Sequence, residues 1–279
     1  MIIILYNKNI CLAIETIDKS AFKRQNIYCI LKTEGGGKMP GTGTVINIAA
    51  IIIGGFFGTV FGKGLSERHR DTLCKACGIC VLFLGISGAL EGMLSVNGTS
   101  VKSGGTMLVV ACLALGALIG ETINIEDRFE AFGEWLKQKS GNAKDKKFVE
   151  GFVTASLTVC IGAMAIVGAI QDGILGDYSV LVTKSILDLI IIMVMTCSWG
   201  KGCAFSAIPV AILQGGVTAL SSLIKPFMTE EALLNLSMIG SILIFCVGLN
   251  LVWGKKIRVA NLLPAILIAV LAAFLPFKL

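Results

Sequence analysis

Val45-Ile46-Asn47-Ile48-Ala49-Ala50-Ile51-Ile52-Ile53-Gly54-Gly55-Phe56-Phe57-Gly58-Thr59-Val60-Phe61 carries no charged side chain and runs into Gly62-Lys63-Gly64 and the charged turn Ser66-Glu67-Arg68-His69-Arg70-Asp71. A helix of about that length crosses most of the ~30 Å hydrocarbon layer and satisfies its own backbone polar groups there without water. Seven more apolar runs follow: Ala76 to Leu94, Thr106 to Gly120, Phe152 to Ile170, Val180 to Cys197, Ala204 to Ile224, Ala232 to Val252 and Val259 to Phe277. The third reaches full length only if it extends from Gly104 to Ile125. Composition agrees, since 55% of the 279 residues are hydrophobic, 15% are charged, and mean hydropathy is +0.84. These values lie far from those of soluble domains. The predicted fold class is therefore all-α: a polytopic transmembrane helical bundle of about eight spans, with one amphipathic helix at the cytoplasmic interface.

The loops alternate in charge. One side collects fourteen Lys and Arg residues, from Lys63 to Arg258, while the other holds Lys102, Lys225 and Lys278 beside Asp172, Asp177, Glu230 and Glu231. Lys and Arg mark the cytoplasmic side, so the Met39 side and the C-terminus are expected to face outward. That orientation conflicts with the six Lys and Arg residues of the first 38. Met1 to Leu5 is too short for a signal-peptide core, and codons for Glu34-Gly35-Gly36 can spell a bacterial ribosome-binding sequence. A start at Met39 follows as an expectation, with residues 1–38 a non-native or disordered extension and residues 39–279 a single membrane domain.

Between the third and fourth runs, residues 125–148 form the one substantial polar segment. Ile125, Phe129, Phe132 and Leu136 share a helical face with Trp135 beside them, Glu126, Asp127 and Glu130 occupy the first turns, and Lys137 and Lys139 the last. An amphipathic helix lying on the lipid surface is expected. Three stretches carry a family resemblance: Met39-Pro40-Gly41-Thr42-Gly43-Thr44-Val45-Ile46-Asn47, Leu84-Gly85-Ile86-Ser87-Gly88-Ala89-Leu90-Glu91-Gly92-Met93-Leu94, and Phe132-Gly133-Glu134-Trp135-Leu136-Lys137. From Met39 onward the chain resembles the YdfK/YqgA-type bacterial membrane proteins, a family of unknown function. The resemblance implies a multi-pass bacterial cell membrane protein and a start equivalent to Met39; it supplies no substrate and no catalytic residues.

Ionisable residues inside spans are costly and so mark candidate sites. Glu91 and Asp172 stand near outer ends, Glu121 near an inner end, and Lys184 and Asp188 within the fifth run, one turn apart and able to neutralise each other. Glu91 and Asp172 sit in similar glycine-flanked settings, where broken helices could build an ion or substrate site. Asn47, Gln214 and Asn250 add polar groups that could face a pathway. Gly62-Lys63-Gly64 and Gly200-Lys201-Gly202 echo each other, compatible with a parallel duplication. Gly54, Gly58 and Gly62, like Gly116 and Gly120, form small-residue ridges suited to close helix packing.

Other chemistry finds little support. Cys74-Lys75-Ala76-Cys77-Gly78-Ile79-Cys80 copies three ligands of a ferredoxin run, but Leu84 stands where the fourth would be. His69 is the only histidine. The Walker A and Gly-x-Ser-x-Gly patterns are missing. No enzyme activity, cofactor or metal is expected, and the net charge of +6 follows topology rather than nucleic-acid binding. The expected partners are the lipid bilayer and a small solute, cation or proton, and an oligomer is compatible with the sequence. The function expected is a secondary transporter or channel for a small solute or ion. The alternative is a non-transporting scaffold or regulatory protein acting through the 125–148 helix.

Overall fold

The computed structural model describes residues 40–97 and 100–274; residues 1–38 and the expected start at Met39 lie outside the described residues. Six of the eight apolar runs become uninterrupted helical segments long and apolar enough to cross a membrane. They are α1 (Thr42–Gly62), α2 (Glu67–Met93), α3 (Thr106–Ile123), α7 (Ser179–Trp199), a 3-10 turn with α8 (Lys201–Ser206, Ala207–Ala219), and α10 (Glu230–Trp253). The fourth run is broken into α5 (Phe148–Cys160) and α6 (Ala163–Leu175), which bend 62° from each other. The eighth is a 3-10 turn (Val259–Leu262) leading into α11 (Pro264–Ala272); at ~1.5 Å per residue its described part reaches only about 20 Å. Between runs lie α4 (Ile125–Lys139), the four-residue α9 (Ser221–Ile224), and a hairpin of β1 (Leu94–Asn97) and β2 (Ser100–Ser103) paired antiparallel. The sequence showed no sign of that hairpin beyond the end of its apolar run.

The glycines decide which helices touch. Water does not drive apolar helices together inside a bilayer, so close approach and dispersion must do it, and small side chains permit both. Along α1, a Cβ at Gly54 would stand 2.5 Å from the Leu189 carbonyl oxygen, while Gly58 and Gly62 meet Met193 and Cys197 four and eight residues further along α7. The equal steps make α1 and α7 a parallel pair, with the predicted ridge at the seam. Along α2, Gly78, Gly85, Gly88 and Gly92 meet Val252, Phe245, Ser241 and Met238 in descending order, so α2 and α10 are antiparallel. Gly116 and Gly120 meet Ala265 and Asn261, which seats α3 against the start of α11. Gly88 and Gly92 thus serve packing, and α2 passes both without breaking.

An internal echo is present, though not between the segments expected. Gly200 and Gly254 end α7 and α10 with φ 91° ψ −167° and φ 80° ψ 173°, a region essentially reserved for glycine. Each follows a tryptophan (Trp199, Trp253), precedes a lysine (Lys201, Lys255), and leads through a 3-10 turn into a helix with proline near its start (Pro209, Pro264). Gly62-Lys63 instead continues in right-handed helical conformation, with Lys63 at φ −63° ψ −32°. The conformational partner of Gly200-Lys201 is therefore Gly254-Lys255.

Candidate functional site

The break in the fourth run supplies the first polar group. Gly162, at φ 149° ψ 145°, lets the chain turn where a side chain would be strained, and the turn frees carbonyls at the end of α5. Leu157 O still accepts the Ile161 N–H at 3.1 Å. Val159 O accepts instead from Lys184 Nζ of α7, at 2.8 Å. Lys184 is also ion-paired with Asp188 one turn along the same helix, and both are buried. A buried charge needs such partners, and this lysine has a carboxylate and a helix-end carbonyl.

From that pair a buried polar column runs between α1, α6 and α8. Asn47 lies near Asp188, and its Nδ2 donates to Gln214 Oε1 at 3.1 Å. One turn further along both helices the hydroxyls of Thr44 and Thr218 pair at 3.3 Å. At the far end Asp172 of α6 accepts the Gly43 N–H at 3.0 Å. That N–H is one of the unsatisfied donors at the start of α1, whose preceding residue Gly41 has no side chain to cap it, so Asp172 caps α1 from a neighbouring helix. Asn47, Gln214 and Asp172 are at most 1% exposed. Among the described residues, Asn47 Oδ1, Gln214 Nε2, Asp172 Oδ1 and, next to it in sequence, Gln171 Oε1 have no hydrogen-bond partner.

The structure brings together five of the eight polar and ionisable residues singled out in the sequence: Asn47, Asp172, Lys184, Asp188 and Gln214. Glu91 is separate. It is exposed on α2, and its resemblance to the Asp172 setting ends there, because its flanking glycines serve the α10 contact and Asp172 is enclosed. Glu121 is also apart, exposed at the end of α3 and 3.3 Å from Arg258. Asn250 holds the backbone after α10, accepting from Lys256 N and Ile257 N at 2.9 and 3.0 Å and donating to Ile257 O at 2.7 Å. Sequence reading missed Thr44 and Thr218. Their only signal was a polar residue one helical turn from Asn47 and from Gln214.

At the basic end, α4 closes against the bundle. Phe129 stacks on Phe152 at 5.5 Å between ring centroids, Phe132 meets the same ring edge-on, and Leu136 is buried. The face expected to lie on lipid therefore packs on α5, and Trp135 remains exposed. Glu126, read in sequence as a first-turn acid, is 2% exposed. Its carboxylate accepts from Ala260 N at 2.9 Å and lies 2.8 Å from Lys255 Nζ, while its own N–H donates to Asn261 Oδ1 at 2.7 Å. Burial lowers the Lys255 pKa, but the Glu126 and Glu130 carboxylates outweigh it and leave that pKa above the ordinary lysine value. Beside this junction a cavity of about 270 Å³ is lined by Glu126, Glu150, Thr154, Leu157, Trp199 and Asn250 among others. Leu157 places its inner wall one turn before the break.

Among the described residues, the cysteines other than Cys80 are buried or half-buried. Cys74 accepts the Trp199 indole N–H at 2.8 Å and Cys197 donates to Gly58 O at 3.3 Å, while Cys80 turns outward. Among the described residues no three His, Cys, Asp or Glu side chains gather as a metal site.

Residues 42–274 match the model of a family described as a protein of unknown function, DUF554. The chain belongs to the DUF554 family. The match takes in every helix described above. Two relatives are similar over nearly their whole length: the uncharacterized membrane protein YdfK of Bacillus subtilis, 30% identical over 232 residues (83% of this chain, 95% of YdfK), and the uncharacterized protein YqgA of Escherichia coli, 30% identical over 231 residues (81% and 94%). No solved structure matches the chain. It is thus a membrane protein of a family whose function its name leaves open, as the resemblance implied.

Proposed function

We propose that this protein carries a small solute or ion across the bacterial cell membrane, as a secondary transporter or channel. The observation that carries the reading is the break between α5 and α6, with a buried Lys184–Asp188 pair at its mouth and a polar column leading from it to Asp172. A protein serving only as a membrane anchor gains nothing from such a column. Each buried polar group with an unmet partner costs about 1–3 kcal/mol, and irregular backbone at membrane depth is tolerated where it is enclosed in protein or lines a cavity. Discontinuous helices are a recurring way of placing a substrate site at mid-membrane, and here the cavity at the basic end approaches the break from one side. The analogy with transporters is one of architecture.

The docked apolar face of α4 bears on the scaffold reading, because that face is occupied by α5 and leaves Trp135 as the exposed aromatic on the helix. The test is solid-supported membrane electrophysiology on proteoliposomes challenged with panels of ions, amino acids and organic acids. The expected result is a saturable, protein-dependent current that survives replacement of Trp135 by Ala. A current lost with Trp135, or silence across the panels alongside partner capture that depends on Trp135, would favour the scaffold. In orientation, the basic end is proposed to face the cytoplasm; a C-terminal alkaline phosphatase fusion is expected to be active, and an inactive, cytoplasmic fusion reverses the topology.

A further inference from the structure

Asp172 differs from the other buried carboxylates. Asp188 has Lys184 and Glu126 has Lys255, but Asp172, fully buried, joins no ion pair among the described residues. One of its oxygens receives the Gly43 N–H and the other, Oδ1, has no hydrogen-bond partner among the described residues. A carboxylate in a low-dielectric interior needs more compensation than one N–H and a helix end. The polar groups packed nearby are a carbonyl and hydroxyls, which carry oxygen lone pairs. Gly173, the next residue, is pressed against the Thr218 carbonyl and the Ser221 hydroxyl, so close that a Cβ would stand 2.5 Å from the former. Across from them the Thr44 hydroxyl, next in sequence to Gly43, pairs with the Thr218 hydroxyl. These hydroxyls can turn their lone pairs inward, because the donor hydrogen of an OH group rotates freely. Lys184 and Asp188 cancel, so with Asp172 the column has a formal charge of −1.

We infer that Asp172, with the Thr44 and Thr218 hydroxyls, binds a small monovalent alkali cation of the sodium or lithium class, and that the column selects cations over anions. Hard cations take oxygen ligands, and one carboxylate among neutral oxygens neutralises a single positive charge without binding a divalent ion strongly. Gly43 fits this site as well as the cap, since the close seam between α1 and α7 holds the first turn of α1 over Asp172. The inference deepens the transport reading and rests on it for the cation's purpose, but binding can be read without transport.

The experiment measures the thermal unfolding midpoint of the purified full chain by intrinsic tryptophan fluorescence. Sodium, lithium and potassium chloride are compared at equal ionic strength with N-methyl-D-glucamine chloride, whose cation is too large to enter. Sodium or lithium is expected to raise the midpoint by about 2–4 °C at saturation. Asp172→Asn, whose amide oxygen can still accept from Gly43, removes the shift, and Glu91→Gln, an exposed carboxylate at the same end, keeps it. Should Asp172→Asn fail to fold, Thr44→Val and Thr218→Val are each expected to weaken the shift. Equal midpoints in all four salts, or a shift that survives Asp172→Asn, overturn the inference. A cation shift together with silence in the electrophysiology panels leaves the site standing and removes the transport reading; solute currents indifferent to the cation do the reverse.

Discussion

At the scale of single residues, two kinds of position carry the structure. The first is the glycine seam. Gly54 of α1 and Gly85 of α2 approach Leu189 and Phe245 so closely that a Cβ would stand 2.5 Å from a backbone atom in each case. Gly54→Ala and Gly85→Ala are each expected to cost about 1–3 kcal/mol, the range for overpacked cores, read as a lower unfolding midpoint. Gly216→Ala, with nothing within 4 Å of its added Cβ, is expected to leave the midpoint unchanged. The second is the Lys184–Asp188 pair. Removing one partner strands a buried charge, so Lys184→Met or Asp188→Leu alone is expected to destabilise by about 3–5 kcal/mol, while the double variant recovers most of the loss. Additive losses in the double-mutant cycle would show that the two groups do not compensate each other. The pair was legible in sequence, because one turn separates the residues. The capping of α1 by Asp172 was not, because Gly43 and Asp172 are brought together by packing rather than by any spacing.

At the scale of elements, hydropathy located all eight helical runs but was blind to the break in the fourth. Ile161 and Gly162 are both compatible with an apolar run, and nothing in the composition of Phe152 to Ile170 marks Gly162 as the residue at φ 149°. Gly162→Ala is expected to strain or straighten the junction at a cost of about 1–3 kcal/mol and to impair the proposed transport more than stability. Normal currents in that variant would detach the break from function. The α4 helix was legible as amphipathic, yet its destination was not, since lipid and the ring of Phe152 are equally apolar partners. Glu126→Ala is expected to speed hydrogen exchange over 125–139 and at the 3-10 turn 259–262, where its carboxylate holds Ala260 N–H. The Lys255 pairing contributes a predictable pH dependence. A raised lysine pKa adds stability that is complete below the unfolded value of about 10.4 and disappears as pH climbs through the folded one, so the protection of the α4 amides, after division by the intrinsic base-catalysed exchange rate, is expected to be flat from pH 6 to 9 and to fall only in stronger alkali.

At the scale of the whole molecule, parallel and antiparallel glycine contacts join α1 to α7 and α2 to α10, and the polar column lies beside the first of these seams. Its chemistry was partly visible beforehand. Polar residues in apolar runs could be listed, but not sorted into Asn47, Asp172 and Gln214 within the bundle and Glu91 and Glu121 on its surface, because helix rotation follows from neighbours rather than from hydropathy. A pathway through this column requires that it become accessible to water. A single cysteine at position 47, in a chain whose ten native cysteines are replaced, can be challenged in native membranes with a membrane-impermeant methanethiosulfonate. Asn47→Cys is expected to react at a rate well above that of Ile53→Cys, a position on the lipid-facing side of the same helix; a cysteine at 47 as inert as the one at 53 would contradict a pathway through the column.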